Sequence, residues 1–485
     1  MADETKKGFE GSSMLVDKHV SKTLKKADKQ VYEIVEPFQR LHQSSEEFHA
    51  GVFGALQGFD REVYDLIRRE YDRQKNTLQL IAAENQCSQA VLAALGSVVQ
   101  NKTTEGFAGA RFHGGCEVVD TLERLAIERA KETFGAKYAN VQAHSGTSAN
   151  LIVITAVLHS GDRILSFGLD QGGHVSHGAR LSFAGKFFET EHYCVDPVTY
   201  LLDYEDIREK ALEFRPNLII CGASAYSRVI DFEMFRRIAN EVGAYLMADI
   251  SHISGLVIAG VHPSPIDWAH FTTTSTYKPG GPRGGLILMG KDYEQPITVG
   301  KRAMPMWEHI DKMTFPGMQG TPHLNNIAAK AVFFKETLSQ EYKARQFRIV
   351  ENAKRLAKEL THLDYDVLTG GTDNHLLLVD VTSFRDGLTG AIAQRSLEDC
   401  GIIINMNRLP YEKRSAFVTS GMRLGTPIVT KNGMGQDEME LITQMVDRVL
   451  RRVEILGERE YVLDAGFKTE MREKVRELCA KFPMC

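Results

Sequence analysis

The sequence predicts an α/β protein: a large domain whose mostly parallel sheet is covered by helices, a smaller α+β C-terminal domain, and a helical N-terminal arm. Three observations carry this. Between about 95 and 330, short apolar runs alternate with helical periodicity, the pattern of strands buried on both faces by crossover helices. From about 335 the pattern gives way to long charged helices and scattered short runs. Before residue 75, two amphipathic helix patterns follow one another with no strand between them. The expected limits are 1–75, 76–334 and 335–485.

Residues 1–14 are polar. Val16, Val20, Leu24, Ala27, Val31 and Ile34 then recur at helical spacing, and Pro37 stops the pattern. Phe59, Val63, Leu66, Ile67 and Tyr71 repeat it after a glycine-containing stretch. So narrow an apolar stripe needs a surface to lie on, which points to a partner subunit; the lysines read as a solvated face. The strands of the large domain are expected at 138–142, 163–167, 218–221, 244–249 and 285–289. The smaller domain opens on a charged helix at 340–360 and continues with strand-like runs at 375–381 and 401–405. A helix with Met439, Ile442, Met445, Val446, Val449, Leu450 and Val453 on one face comes after them.

Composition excludes several function classes. With 485 residues, 43% hydrophobic and 25% charged, the chain is globular and long enough for two or three cores. A net charge of -5 and a pI near 6.4 provide no basic field for nucleic acid or an anionic membrane. No apolar run approaches the ~20 residues of a bilayer span. The acidic start (Asp3, Glu4, Glu10) lacks the features of a signal or transit peptide. Seven scattered cysteines, none at zinc-ligand spacing, read as reduced thiols, so no metal site is expected and the expected compartment is the cytoplasm.

Three motifs carry chemistry. His144-Ser145-Gly146-Thr147 lies between a strand and a helix, where small hydroxyl residues and backbone N–H groups present a cup to an anion. Many ordinary strand-to-helix turns look the same. Asp249 ends the strand at 244–249 and faces the crevice where α/β proteins bind ligands; the competing reading is a helix N-cap. Lys278 follows five hydroxyl residues (Thr272 to Thr276) in what reads as a hydroxyl-rich turn, with donors for a phosphate and a lysine suited to forming a Schiff base. A phosphate cup, a strand-end acid and a lysine in this order are the parts pyridoxal phosphate needs: donors for the phosphate, an acid for the pyridine nitrogen, and an amine for the aldehyde.

From about Thr77 onward the sequence resembles the serine hydroxymethyltransferase family of fold-type I pyridoxal-phosphate enzymes. The resemblance rests on Leu80-Ile81-Ala82-Ala83-Glu84-Asn85, Gly114-Gly115-Cys116-Glu117, His144-Ser145-Gly146, Gly172-Gly173-His174, Gly281-Pro282-Arg283-Gly284-Gly285, Gly370-Gly371-Thr372-Asp373-Asn374-His375 and Thr419-Ser420-Gly421-Met422-Arg423. It implies that Lys278 holds pyridoxal 5'-phosphate covalently, Asp249 pairs with the pyridine nitrogen, His174 stacks on the ring, and His252 and Ser224 lie beside the ring hydroxyl. Ser145, Gly146 and Thr147 would hold the phosphate, joined across a dimer by Thr103, Gly320 and Thr321. Arg423 would grip the substrate carboxylate, with Ala83, His113 and Tyr277 around the substrate. Glu105, from the partner subunit, would be the acid/base, and Phe112, Leu169, Gly173 and Asn407 would join it in contacting tetrahydrofolate. The implied assembly is a homodimer, or a dimer of dimers, with shared sites.

Several positions depart from the usual pattern of the family. Tyr277 stands for histidine, Pro279-Gly280 for a threonine-leucine pair, Thr103 for tyrosine, Phe112-His113 for a tyrosine pair, Ala83 for serine and Thr321 for glycine. Some of these resemble a branch that acts on 2-methylserine. Three readings therefore stand: a folate-linked hydroxymethyltransferase for serine or 2-methylserine, a folate-independent aldolase for threonine-like amino acids, and a non-catalytic member kept for binding.

Overall fold

The structure, a computed structural model, describes residues 54–299 and 302–484. The helix pattern at 16–34 lies outside them. The chain divides into two compact units, Met1–Arg73 and Gln74–Cys485. In the first, the described residues are helical at 54–59 and again in a helix running Arg61–Lys75. Asp60 starts that helix by accepting a hydrogen bond from the Val63 N–H at 3.0 Å. The Arg61–Asp65 and Arg73–Glu70 pairs support its polar face. Phe59, Val63, Leu66, Ile67 and Tyr71, the expected apolar stripe, are all exposed.

The second unit contains a seven-stranded sheet: β1 (Tyr138–Asn140), β2 (Arg163–Phe167), β3 (Glu189–Tyr193), β4 (Leu218–Cys221), β5 (Tyr245–Asp249), β6 (Phe271–Ser275) and β7 (Gly285–Met289). Their order is β1-β7-β6-β5-β4-β2-β3. From β3 to β6 every pairing is parallel, whereas β7 runs antiparallel to both β6 and β1. The loop 276–284 between β6 and β7 holds no crossover helix, so the chain returns antiparallel.

One expectation is corrected by this sheet. Thr272, Thr273, Thr274 and Ser275 are not a turn; they form β6, at most 3% exposed. β-branched threonines suit a strand packed on both faces, and the sheet takes their backbone groups. Only the last of these residues reaches a ligand cleft.

A second sheet comprises β8 (Asp366–Val367), β9 (Leu376–Asp380), β10 (Asn405–Asn407) and β11 (Gly421–Gly425), all antiparallel in the order β8-β9-β11-β10. Leu377, Val379, Met422 and Leu424 pack there against Met439, Ile442, Val446, Val449 and Leu450 of the helix Gln436–Arg452. The run expected at 401–405 divides. Ile402–Ile403 pairs in parallel with Leu78–Gln79, and Asn405 begins β10. That pairing draws Leu78 and Leu80 into the second core and delivers residues 81–86 to the junction between the sheets.

Candidate active site

The carboxyl ends of β1, β4, β5 and β6 open on one cleft of about 270 Å³, where a doubly wound sheet reverses its strand order. After β1, the helix Gly146–Val157 begins with Ser145 as its cap, the Ser145 hydroxyl accepting from the Ser148 N–H at 3.0 Å. His144, Ser145, Gly146 and Thr147 line the cleft with the free N–H groups of that first turn. Gly146 suits the close approach here: a Cβ there would stand 3.2 Å from the Ser275 side chain at the end of β6, a tight contact.

Asp249, 7% exposed, ends β5 facing the cup. It caps no helix, since the next one begins beyond Ile253. Its carboxylate is instead held by four donors. Oδ1 accepts from the Ser251 N–H (3.0 Å) and hydroxyl (2.6 Å), and Oδ2 accepts from Asn150 Nδ2 (2.8 Å) and His177 Nε2 (3.0 Å). Burial alone would raise its pKa; the hydrogen bonds from His177 and Asn150, with the two imidazoles facing it, outweigh it and hold the carboxyl well below the usual range. Asp249 is a buried anion suited to a cationic partner.

Lys278 stands on the loop after β6, with Nζ 3.2 Å from the Ser275 hydroxyl. Its carbonyl accepts from Asn85 Nδ2 at 3.0 Å, a contact supplied by the segment that β-pairing at 78–79 brings in. The Tyr277 ring has two cations within cation–π distance, Lys278 Nζ at 4.8 Å and the Arg283 guanidinium at 4.3 Å. Three imidazoles stay uncharged around them. Burial brings His174 down to about 4, against the opposing charge of Asp249. Burial and the Lys278 and Arg423 cations hold His252 well below its ordinary value, and burial with Arg423 brings His375 to about 3. His252 Nδ1 and His375 Nε2 are 3.3 Å apart.

Arg423 sits at the centre of β11 and crosses to the cleft wall. Its Nη1 donates to the Ser224 carbonyl at 2.6 Å and its Nε to Asn405 Oδ1 at 3.1 Å, which leaves donors of the guanidinium fork free. Burial pulls its pKa down to about 10, still charged at neutral pH.

The structure brings Lys278, Asp249, His174, His252, Ser224, Tyr277 and the 145–147 cup to one cleft. Other expected residues do not line it. Glu105 lies beside Gly320, its Oε1 3.7 Å from where a Cβ on that glycine would sit, so those two stand together elsewhere in the chain. Thr103 and Thr321 are likewise outside the lining, as are His113 and the half-buried Ala83. Phe112 is exposed and meets Phe315 edge-on at 5.5 Å. Leu169 is exposed; Gly173 is pressed against the Phe167 carbonyl; Asn407 donates to the Arg408 carbonyl.

Sequence reasoning assigned no role to Asn150, His177, Ser251 and Arg283. Two had a signal. Asn150 is one helical turn beyond Gly146 and so shares its face, and His177 follows His174 by three residues. Asn150 also accepts from Thr273 at 2.6 Å, which ties β6 to the Asp249 network.

These groups fit pyridoxal phosphate: a helix N-terminus for a dianion, an ionised buried carboxylate for a pyridinium N–H, and an amine hydrogen-bonded to a hydroxyl. Comparison with known proteins agrees with that chemistry. The family model for serine hydroxymethyltransferase matches residues 56–446. A serine hydroxymethyltransferase of Methanosarcina barkeri (strain Fusaro / DSM 804) is 47% identical over 426 residues, covering 88% of this chain and 98% of the relative.

Proposed function

This chain belongs to the serine hydroxymethyltransferase family, and from that premise we infer that it exchanges a one-carbon unit between serine and tetrahydrofolate, with pyridoxal phosphate in the cleft at Lys278. The observation that carries the reading is the grouping of Lys278 and ionised Asp249 in one cleft, with Arg423 bonded to the carbonyl of Ser224 in its wall. The bound cofactor supplies an electron sink for breaking the Cα–Cβ bond. The chain does the rest. The 145–147 cup holds the phosphate dianion. Asp249 keeps a proton on the pyridine nitrogen, because its own carboxyl stays ionised. Arg423 clamps the substrate carboxylate and thereby sets which Cα bond stands perpendicular to the ring. Neutral His174 and His252 pack against the ring without competing for Asp249.

Glu105, Thr103, Gly320 and Thr321 complete the neighbouring site in a homodimer or dimer of dimers; none of the four lines this chain's own cleft, and Thr321 meets it only through its backbone bond to His144. Glu105 is the acid/base, and Phe112, Leu169, Gly173 and Asn407 take the pterin. Ala83, His113 and Tyr277 tune substrate choice. The domains are 76–334 for the cofactor and 335–485 for the clamp. No helix among the described residues is long and apolar enough to cross a membrane, and the six cysteines described are free, which favours a cytoplasmic enzyme.

The test is a panel of L-serine, α-methyl-L-serine and L-threonine, each with and without tetrahydrofolate. Folate-dependent turnover of L-serine is expected to lead. Preference for α-methyl-L-serine would move the chain to that branch, and threonine cleavage indifferent to folate, without serine activity, would overturn the reading.

A further inference from the structure

Lys330 is 1% exposed in the middle of the helix Leu324–Thr337. No carboxylate among the described residues lies within ion-pair distance of it. Its Nζ instead donates to three backbone carbonyls: Val141 at 2.6 Å, Gly285 at 2.7 Å and Ala143 at 3.2 Å. Burial brings the ammonium down to about 7, against the opposing charge of the more distant Glu123. Three acceptors match the three N–H donors of an ammonium; a neutral amine has two and would orphan one buried carbonyl.

The three carbonyls are not a random set. Val141 and Ala143 lead directly into the phosphate cup at 145–147, and Gly285 is the first residue after the loop that carries Lys278. Gly284 and Gly285 make room for the contact. A Cβ on Gly284 would stand 2.5 Å from Lys330 Cε, and one on Gly285 would stand 2.1 Å from the Ser145 carbonyl. Alternating with Val141 and Ala143, the next residues bind Gln319, which donates to the Gln142 carbonyl and accepts from the His144 N–H, both at 3.0 Å. The strand-to-cup segment is thus held residue by residue from 317–337.

We propose that Lys330 is a positioning residue, a built-in monovalent cation whose three carbonyl bonds fix the phosphate cup relative to the Lys278 loop, and that truncating it leaves a site for a small free cation. The inference rests on the cofactor reading of the cleft. Converging carbonyls are the ligands that potassium and ammonium ions take, and the truncated stem would leave room beside them.

The test compares Lys330→Met, which keeps the stem and removes the charge, with Lys330→Ala, which also opens space. Cofactor affinity is read by spectral titration of the apoprotein in tetramethylammonium buffer, too bulky a cation to enter. Both variants are expected to bind pyridoxal phosphate roughly tenfold or more weakly than the parent. Potassium, ammonium or methylammonium should restore Lys330→Ala and raise its thermal midpoint, while leaving Lys330→Met and the parent unmoved. Parental affinity in Lys330→Met would overturn the proposal, as would a Lys330→Ala protein equally impaired in every cation. If Lys330→Ala does not fold, Lys330→Met decides the matter. Should the parent itself not bind pyridoxal phosphate, the functional reading falls, and the cation dependence of the Lys330→Ala midpoint judges this inference alone.

Discussion

Replacing Asp249 by asparagine preserves shape and removes charge, and the hydrogen-bond geometry fixes the consequence. The carboxylate accepts four donors, two on each oxygen. An amide offers one oxygen and one NH2, so one side must meet donors with donors. If the NH2 faces Ser251, the hydroxyl can turn and accept, but the Ser251 N–H cannot. If it faces the other way, His177 can shift its proton to Nδ1, which has no partner, but the Asn150 amide is committed through its oxygen to Thr273. The first arrangement orphans one buried N–H and the second two, at about 1–3 kcal/mol of stability each. The larger effect is electrostatic. An opposite charge within a few ångströms moves a protonation equilibrium roughly 10- to 1000-fold, so losing the carboxylate should lower the protonated fraction of the pyridine nitrogen, and with it kcat, by about that factor. The assay is serine turnover with tetrahydrofolate at saturating cofactor, with a thermal midpoint alongside. An Asp249→Asn protein that binds cofactor and keeps kcat within about twofold would refute the reasoning.

Three further outcomes are expected. Arg423→Lys forfeits the planar fork that spans Ser224, Asn405 and the substrate; at about 1.5–3 kcal/mol per charged hydrogen bond, KM for serine should rise roughly 10- to 150-fold with cofactor affinity unchanged, and an unmoved KM would remove Arg423 from the clamp. Co-expressing Lys278→Ala with Glu105→Gln should yield hybrid dimers carrying one intact site, and so about a quarter of parental activity from two inactive parents; no recovery despite hybrid formation would place Glu105 outside the shared site. The third concerns acid. His174 and His270, at about 4, and His375, at about 3, titrate below the ~6.5 of the unfolded chain, so between those values the unfolded state binds more protons and stability falls as pH drops. Urea midpoints of the apoprotein should therefore decline from pH 7 to 5, above the range in which Asp249 contributes; a flat profile would contradict neutral burial of these rings.

Much of the cleft is legible in residue order because its parts sit at the ends of strands. β2, β4 and β7 fall where short apolar runs place them, and Ser145, Asp249 and Lys278 stand at or beyond the carboxyl ends of β1, β5 and β6. β6 is not legible in this way, for an identifiable reason. Its threonines look like a polar turn in sequence, and only central placement in the sheet shows that β-branching, not the hydroxyls, decides their conformation. The same holds for the return strand at 285–289, whose direction depends on a loop too short for a crossover.

Residue order alone dictates the identity of the chemical groups and the sequence in which strands deliver them, since periodicity and motif are local properties. Which groups meet is a matter for the tertiary fold. The four donors on Asp249, the two cations beside the Tyr277 ring and the three carbonyls on Lys330 join residues up to 189 positions apart or bring in helix faces with no local pattern of their own. Burial then gives them their chemistry, because a charge or imidazole takes its protonation state from the dielectric and dipoles that the fold packs around it.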